Sequence, residues 1–169
     1  MTPSDPDLAD PAARKIATEI CIARDIEHVW AVLVGFANYE HWNPYIVRID
    51  GEAKAGSRIV VHSMRSEAQA PLVQWIDIVS VAPFTMRWQG GLPDRSEFAG
   101  DHWFELERAG HCETRFSHYE HFSGSRMPEF IALHENAVAE NFDRFNLALK
   151  AQCESGFEGE RIECNIITE

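Results

Sequence analysis

The sequence predicts an α+β fold in which a curved antiparallel β-sheet wraps a long C-terminal helix, with two short helices after the first strand. Three patterns in the 169 residues lead there. Apolar residues alternate with period two through the middle of the chain, the mark of half-buried strands. A 3.6-residue apolar stripe runs from Ile131 to Leu149. A shorter helical stripe lies between the first strand and the rest. Consecutive strands flanked by helical segments bury one sheet face against the last helix.

The elements follow in order. Residues 1–13, rich in proline and aspartate, predict a disordered lead. In KIATEICIAR (15–24), Ile16, Ile20 and Ile22 share one parity, as in a strand. Asp25 is a good N-cap for a helix over 26–34, whose Ile26, Val29, Trp30 and Leu33 form an i, i+3, i+4, i+7 stripe. Gly35 can end it, and a second short helix covers 36–42, stopping before Asn43-Pro44. Strands follow in IVRIDGE, SRIVVHSMR, LVQWIDIVSV and FTMRWQG, then over about 98–108 and 112–123. Met127-Pro128 opens the last helix, about 128–152, with Ile131, His134, Val138, Phe142, Phe145 and Leu149 on one face. Residues 154–169 read as an acidic tail, leaving a single domain over 14–153.

Composition excludes several classes. Apolar residues make 45% and charged residues 25%, as in soluble globular proteins. The net charge of −12 argues against nucleic acid as a partner, since phosphate binding needs clustered cations. More than half of it lies in the two ends, so it says little about a site. No segment reaches the ~20 apolar residues of a transmembrane helix, and no secretory signal stands at the start. Four cysteines without paired spacing predict reduced thiols in a cytoplasmic protein rather than a zinc site. No P-loop, GxSxG or GxGxxG occurs. No cofactor is expected, and the sequence leaves a homodimer open.

HVWAVLVGFANYEHWNP (28–44), the glycine turn before RIVV (58–61), the penultimate strand FELE, TRFSHYEHFSG (114–124) and NFDRFNLALK (141–150) together resemble the START-like, or SRPBCC, helix-grip superfamily. The subgroup they are most similar to is polyketide cyclase/dehydrase-like. The resemblance spans about residues 15–152. It implies a cavity between sheet and long helix that takes lipids, polyketides or other apolar molecules. It implies no metal, and it leaves open whether the chain is a carrier, a sensor or a cyclase.

The last strand poses a problem. Thr114, Phe116, His118, Glu120 and Phe122 share one face, so the face with two phenylalanines also carries an ionisable pair. A hairpin centred on Gly110 would set His102 opposite His118, Phe104 opposite Phe116, Leu106 opposite Thr114 and Phe98 opposite Phe122. Glu105 would then meet Arg115 on the other face. His102, His118 and Glu120 would converge under the helix that presents His134 and Asn141. In a dry core such groups cost several kcal/mol unless paired. A ligand cavity resolves this, walled by Phe84, Met86, Trp88, Phe104, Phe116 and Phe122 from the sheet and Val138, Phe142 and Phe145 from the helix. A plain hydrogen-bonded core is the competing account.

The first functional expectation is therefore a small-molecule binding protein for an apolar or amphipathic ligand of lipid, polyketide or aromatic type. The second is a cyclase/dehydratase-like enzyme, with His118 as proton acceptor, Glu120 its orienter and His102 the donor to a carbonyl. A protein-interaction module using the acidic tail is the third. Two histidines and a carboxylate could also hold iron or zinc, but that reading ranks last.

Overall fold

The computed structural model describes residues 13–64 and 69–156. The expectations for the lead and for most of the acidic tail fall outside them. Seven strands, β1 (Arg14–Ile22), β2 (Ile46–Asp50), β3 (Arg58–Ser63), β4 (Leu72–Ala82), β5 (Thr85–Gly91), β6 (Ala99–Gly110) and β7 (Glu113–Ser123), form one antiparallel sheet in the order β1-β7-β6-β5-β4-β3-β2. The first two strands are thus its opposite edges. Helix α1 (Ile26–Val34), a 3₁₀ turn over Phe36–Asn38 and the short α2 (Tyr39–Trp42) carry the chain between them. The long helix α3 (Met127–Glu154) packs mainly against β1, and beyond it against α1 and β7.

Local chemistry sets these boundaries. The Asp25 carboxylate accepts a 2.8 Å bond from the His28 amide at the start of α1. Asn43 ends the second helical segment, its Oδ1 accepting from the Tyr45 and Ile46 amides at 2.9 Å, which turns the chain into β2. Pro128 sits in the first turn of α3, where a missing N–H costs nothing. At the other end Glu154 belongs to the helix, accepting from the Ala23 amide at 2.7 Å and from Lys150 at 2.6 Å.

The closed core occupies the end of the molecule near α1. There Met86, Phe104, Phe116, Phe145 and Leu149 have no exposed surface and pack with Phe36, Tyr39 and Val29. A second cluster, Ile16, Phe122, Met127 and Phe142, seats the first half of α3 on the sheet.

The β6–β7 pairing differs from the expected register while keeping its faces. His102 lies opposite Glu120, Phe104 opposite His118 and Leu106 opposite Phe116. The turn is the two residues His111-Cys112, with Gly110 opposite Glu113 and an irregularity at Ala109. This places Glu107 opposite Arg115, 3.3 Å from its guanidinium, and removes the Glu107–Glu113 juxtaposition of the centred hairpin. The shift moves each partner by two residues, so every side chain stays on its predicted face. The irregularity lies beyond His102 and leaves that residue facing inward.

Cysteine usage needs one correction: Cys21 and Cys153 are free thiols, but Cys112 is disulfide-bonded. No helix among the described residues is long and apolar enough to cross a membrane.

Candidate functional site

Between the sheet and the first half of α3 lies a cavity of about 370 Å³. Its floor exists because β5 and β6 place glycines side by side on the inner face. Gly90 pairs with Gly100, one inward position beyond the Trp88–His102 pair. With no side chain at either place, Ile76 and Glu120 lie over bare backbone, and both glycines border the cavity. A Cβ at Gly90 would lie 2.7 Å from Ile76 Cδ1. At Gly100 it would lie 2.1 Å from Glu120 Oε1, so the bare backbone makes room for that carboxyl.

The walls include Tyr45 just before β2, Ile46, Val61, Leu72 and Ile76 from β2–β4, and Phe130, Ala137 and Val138 from α3. A second depression at the start of α3, bordered by Arg126, Glu129 and Leu133, shares Leu92, Phe98, Phe130 and His134 with the cavity. The two therefore adjoin, and Leu133 stands 69% exposed at that border.

Of the residues singled out from sequence, His102, Glu120, Trp88, Phe122, His134, Val138, Asn141 and Phe142 line this cavity. Phe84, Met86, Phe104, Phe116 and Phe145 do not. Phe84 occupies the β4–β5 turn with φ +69° and meets Trp30 edge-on at 6.2 Å. The other four fill the closed core, because the bulky rings of α1, α2 and the 3₁₀ turn reach that half of the sheet.

His118 does not line the cavity either. It is 1% exposed and both its ring nitrogens are engaged. A direct role as acceptor of a ligand proton therefore does not fit it. Of the three ionisable residues on this face of β6 and β7, His102 and Glu120 line the cavity, beside Ser63, Gln74, His134 and Asn141, and their side chains retain 14% and 18% exposure.

These groups form one chain of contacts. Glu120 Oε2 lies 3.7 Å from His102 Nδ1. His102 Nε2 and His118 Nε2 are 2.6 Å apart. The two rings are within 5° of coplanar and their centroids are 4.7 Å apart, an edge-to-edge hydrogen bond rather than a face stack. His118 Nδ1 is 2.8 Å from Asn146 Oδ1, Asn146 Nδ2 donates to Thr18 Oγ1 at 2.8 Å, and Thr18 donates to the His118 carbonyl at 3.3 Å. Phe104 and Phe142 lie against both imidazoles, with ring centroids 4.2–5.0 Å away.

Burial among these rings governs the charges. It holds His118 down to about 4, against a smaller opposing effect of the Asn146 bond. His102 is lowered for the same reason, with the neighbouring His118 adding to it. Burial, helped by the nearby Asp101 carboxylate, pushes Glu120 up to about 8. Near neutral pH the whole chain is uncharged, which is how polar groups come to rest among phenylalanines.

The same geometry opposes a metal at this place. Two imidazole nitrogens 2.6 Å apart leave no room for an ion between them, since each metal–nitrogen bond needs about 2 Å. Among the described residues no cluster of three or more histidine, cysteine, aspartate or glutamate side chains is arranged to hold one.

Asn146 and Thr18 were not singled out from sequence, although signals existed. Asn146 sits four residues after Phe142 on the inner helix face, and Thr18 shares the parity of Ile16 and Ile20. The glycine floor had only WQGG (88–91) and AGD (99–101) as its sign, and glycines in strands have several uses.

Comparison with known proteins places this architecture. A START superfamily protein from Mycobacterium smegmatis superposes with a TM-score of 0.68 at 15% identity, covering 83% of this chain and 97% of its own. The Zhui aromatase/cyclase from Streptomyces sp. R1128 superposes with a TM-score of 0.66 at 14% identity, covering 84% and 94%. The di-domain ARO/CYC BexL gives 0.68 at 15%, this chain spanning 46% of its length. No curated protein matches. Identities this low establish the helix-grip fold alone. Membership rests on the sequence model that matches residues 13–154: the chain belongs to the family described as polyketide cyclase / dehydrase and lipid transport.

Proposed function

We propose that this protein binds one apolar or amphipathic small molecule in the cavity between the sheet and α3. The observation that carries the proposal is the glycine floor. Gly90 and Gly100 border about 370 Å³ of open space over a sheet whose other end is packed solid. Apolar walls with a few convergent polar groups are what a small-molecule site requires. Glu120 and His102 would hold an oxygen function of the ligand, and the aromatic walls its carbon skeleton. The Val138→Trp variant tests this by filling the space from the helix side. Native mass spectrometry of wild type should show a bound organic mass, or uptake of an added hydrophobic probe, that the variant lacks. Equal loading of the two proteins would refute the assignment.

A second reading, catalysis of a dehydration or cyclisation, is favoured by one specific feature: an acid and a base stand side by side in the cavity. Glu120 is protonated near neutrality and His102 is not. For a β-hydroxy ketone, His102 would take the α-proton while Glu120 gives its proton to the departing hydroxyl, releasing water and an enone. Proton return from His102 to Glu120 would reset the pair. Glu120→Gln should then abolish turnover while retaining binding.

A further inference from the structure

The chain of contacts beginning at Glu120 runs in one direction, because each link restricts the next. The Asn146 amide sets it. Its Nδ2 donates to Thr18 Oγ1, so the atom facing His118 is the carbonyl oxygen, which can only accept. The proton of neutral His118 therefore sits on Nδ1 and its Nε2 is a lone pair. At 2.6 Å from that lone pair, His102 must place its own proton on Nε2. His102 Nδ1 is then left as a bare acceptor, turned toward Glu120 at the edge of the cavity. Its distance of 3.7 Å from Glu120 Oε2 is too long for a direct hydrogen bond. It is, however, a spacing that one oxygen atom can bridge, lying about 2.8 Å from each.

We propose that Asn146, which touches no part of the cavity, is a positioning residue that makes His102 Nδ1 an acceptor, so that His102 and Glu120 together select a ligand hydroxyl. This rests on the cavity-binding reading above. A hydroxyl fits because it both donates and accepts: its proton goes to His102 Nδ1, and its lone pair takes the Glu120 proton. An ether cannot supply the first bond. A carboxylate at that place cannot supply it either, and it would also bring an uncompensated charge beside buried rings. Sites that hydrogen-bond a hydroxyl reject analogues without it, because their own polar groups are left unpaired.

The test has two parts. Long-range ¹H–¹⁵N correlation spectra of the unliganded protein at pH 7 should show His102 protonated on Nε2 and His118 on Nδ1. His102 protonated on Nδ1 would overturn the proposal without reference to any ligand. In Asn146→Leu, His102 should populate both protonation sites; an unchanged His102 spectrum in the folded variant would remove Asn146 from its role. Titration with 2-naphthol, 2-methoxynaphthalene and 2-naphthoate, followed by tryptophan fluorescence, should give at least about ten-fold tighter binding of the naphthol. Equal binding of naphthol and ether refutes hydroxyl selection while leaving the cavity reading intact. Failure of all three to bind sinks both.

Discussion

Replacing Glu120 with glutamine should stabilise the protein, and by an amount that grows with pH. The reasoning starts from burial. The folded protein holds the Glu120 proton up to about pH 8, whereas an unfolded chain releases it near the ordinary value of 4.5. Below pH 4.5 both states are protonated and the group has no effect. Between 4.5 and 8 only the folded state keeps the proton, so stability falls as pH rises through that window, and it levels off above 8. At about 1.4 kcal/mol per pH unit, the cost is roughly 3 kcal/mol at pH 7 and approaches about 5 kcal/mol at pH 9. Glutamine has the same shape, carries no proton to lose, and still reaches the cavity.

The two histidines act in the opposite direction. Their folded values are depressed, so their contribution is complete above pH 6.5 and is lost as pH falls toward about 4, the value for His118. Wild type should thus be most stable near pH 6–7. Both proteins share the histidines, so that background cancels in the comparison. Urea denaturation of both at pH 5, 7 and 9 measures the difference, with equal slopes confirming that the unfolded states match. A variant no more stable than wild type at pH 9, or an advantage that does not widen from pH 5, would refute the account of Glu120 as a buried neutral acid.

Two further predictions concern the surroundings of that acid. Gly100→Ala puts a methyl group where Glu120 Oε1 now lies, and should cost about 1–3 kcal/mol while bringing the Glu120 carboxyl back toward ordinary acidity, readable by ¹³C NMR titration. Phe142→Ala removes the ring that covers both imidazoles; it should destabilise by about 3–5 kcal/mol in thermal or urea unfolding and raise both histidine values, seen in ring-proton shifts against pH.

The elements and their buried faces were legible because they depend on patterns of short range. Alternation in KIATEICIAR and TRFSHYEHFSG settles which face of β1 and β7 is buried, whatever the partner strand. Asp25 capping α1 and Pro128 opening α3 are decisions made within one helical turn. Parity likewise placed His118 and Glu120 on the face of Phe116 and Phe122, and the assumed hairpin brought His102 to the same side. Their exact partners were beyond reach, since the β6–β7 register turned on a two-residue loop at His111-Cys112 and on one irregularity at Ala109.

What only tertiary structure decided is where packing stops. Phe104 and Trp88 are both inward aromatics near the middle of the sheet, yet Phe104 is sealed in core and Trp88 borders a cavity. Much of the difference is made by neighbours distant in sequence: Phe36 and Tyr39 descend on one half of the sheet, while the half that carries Gly90 and Gly100 borders the cavity. The ionisable pair was visible in the sequence as a contradiction. Its resolution needed Asn146 and Thr18, 128 residues apart, to meet beside His118. Alternation reports which way a side chain points; whether it then finds a ring, a partner or open space depends on what the rest of the chain brings to the same place.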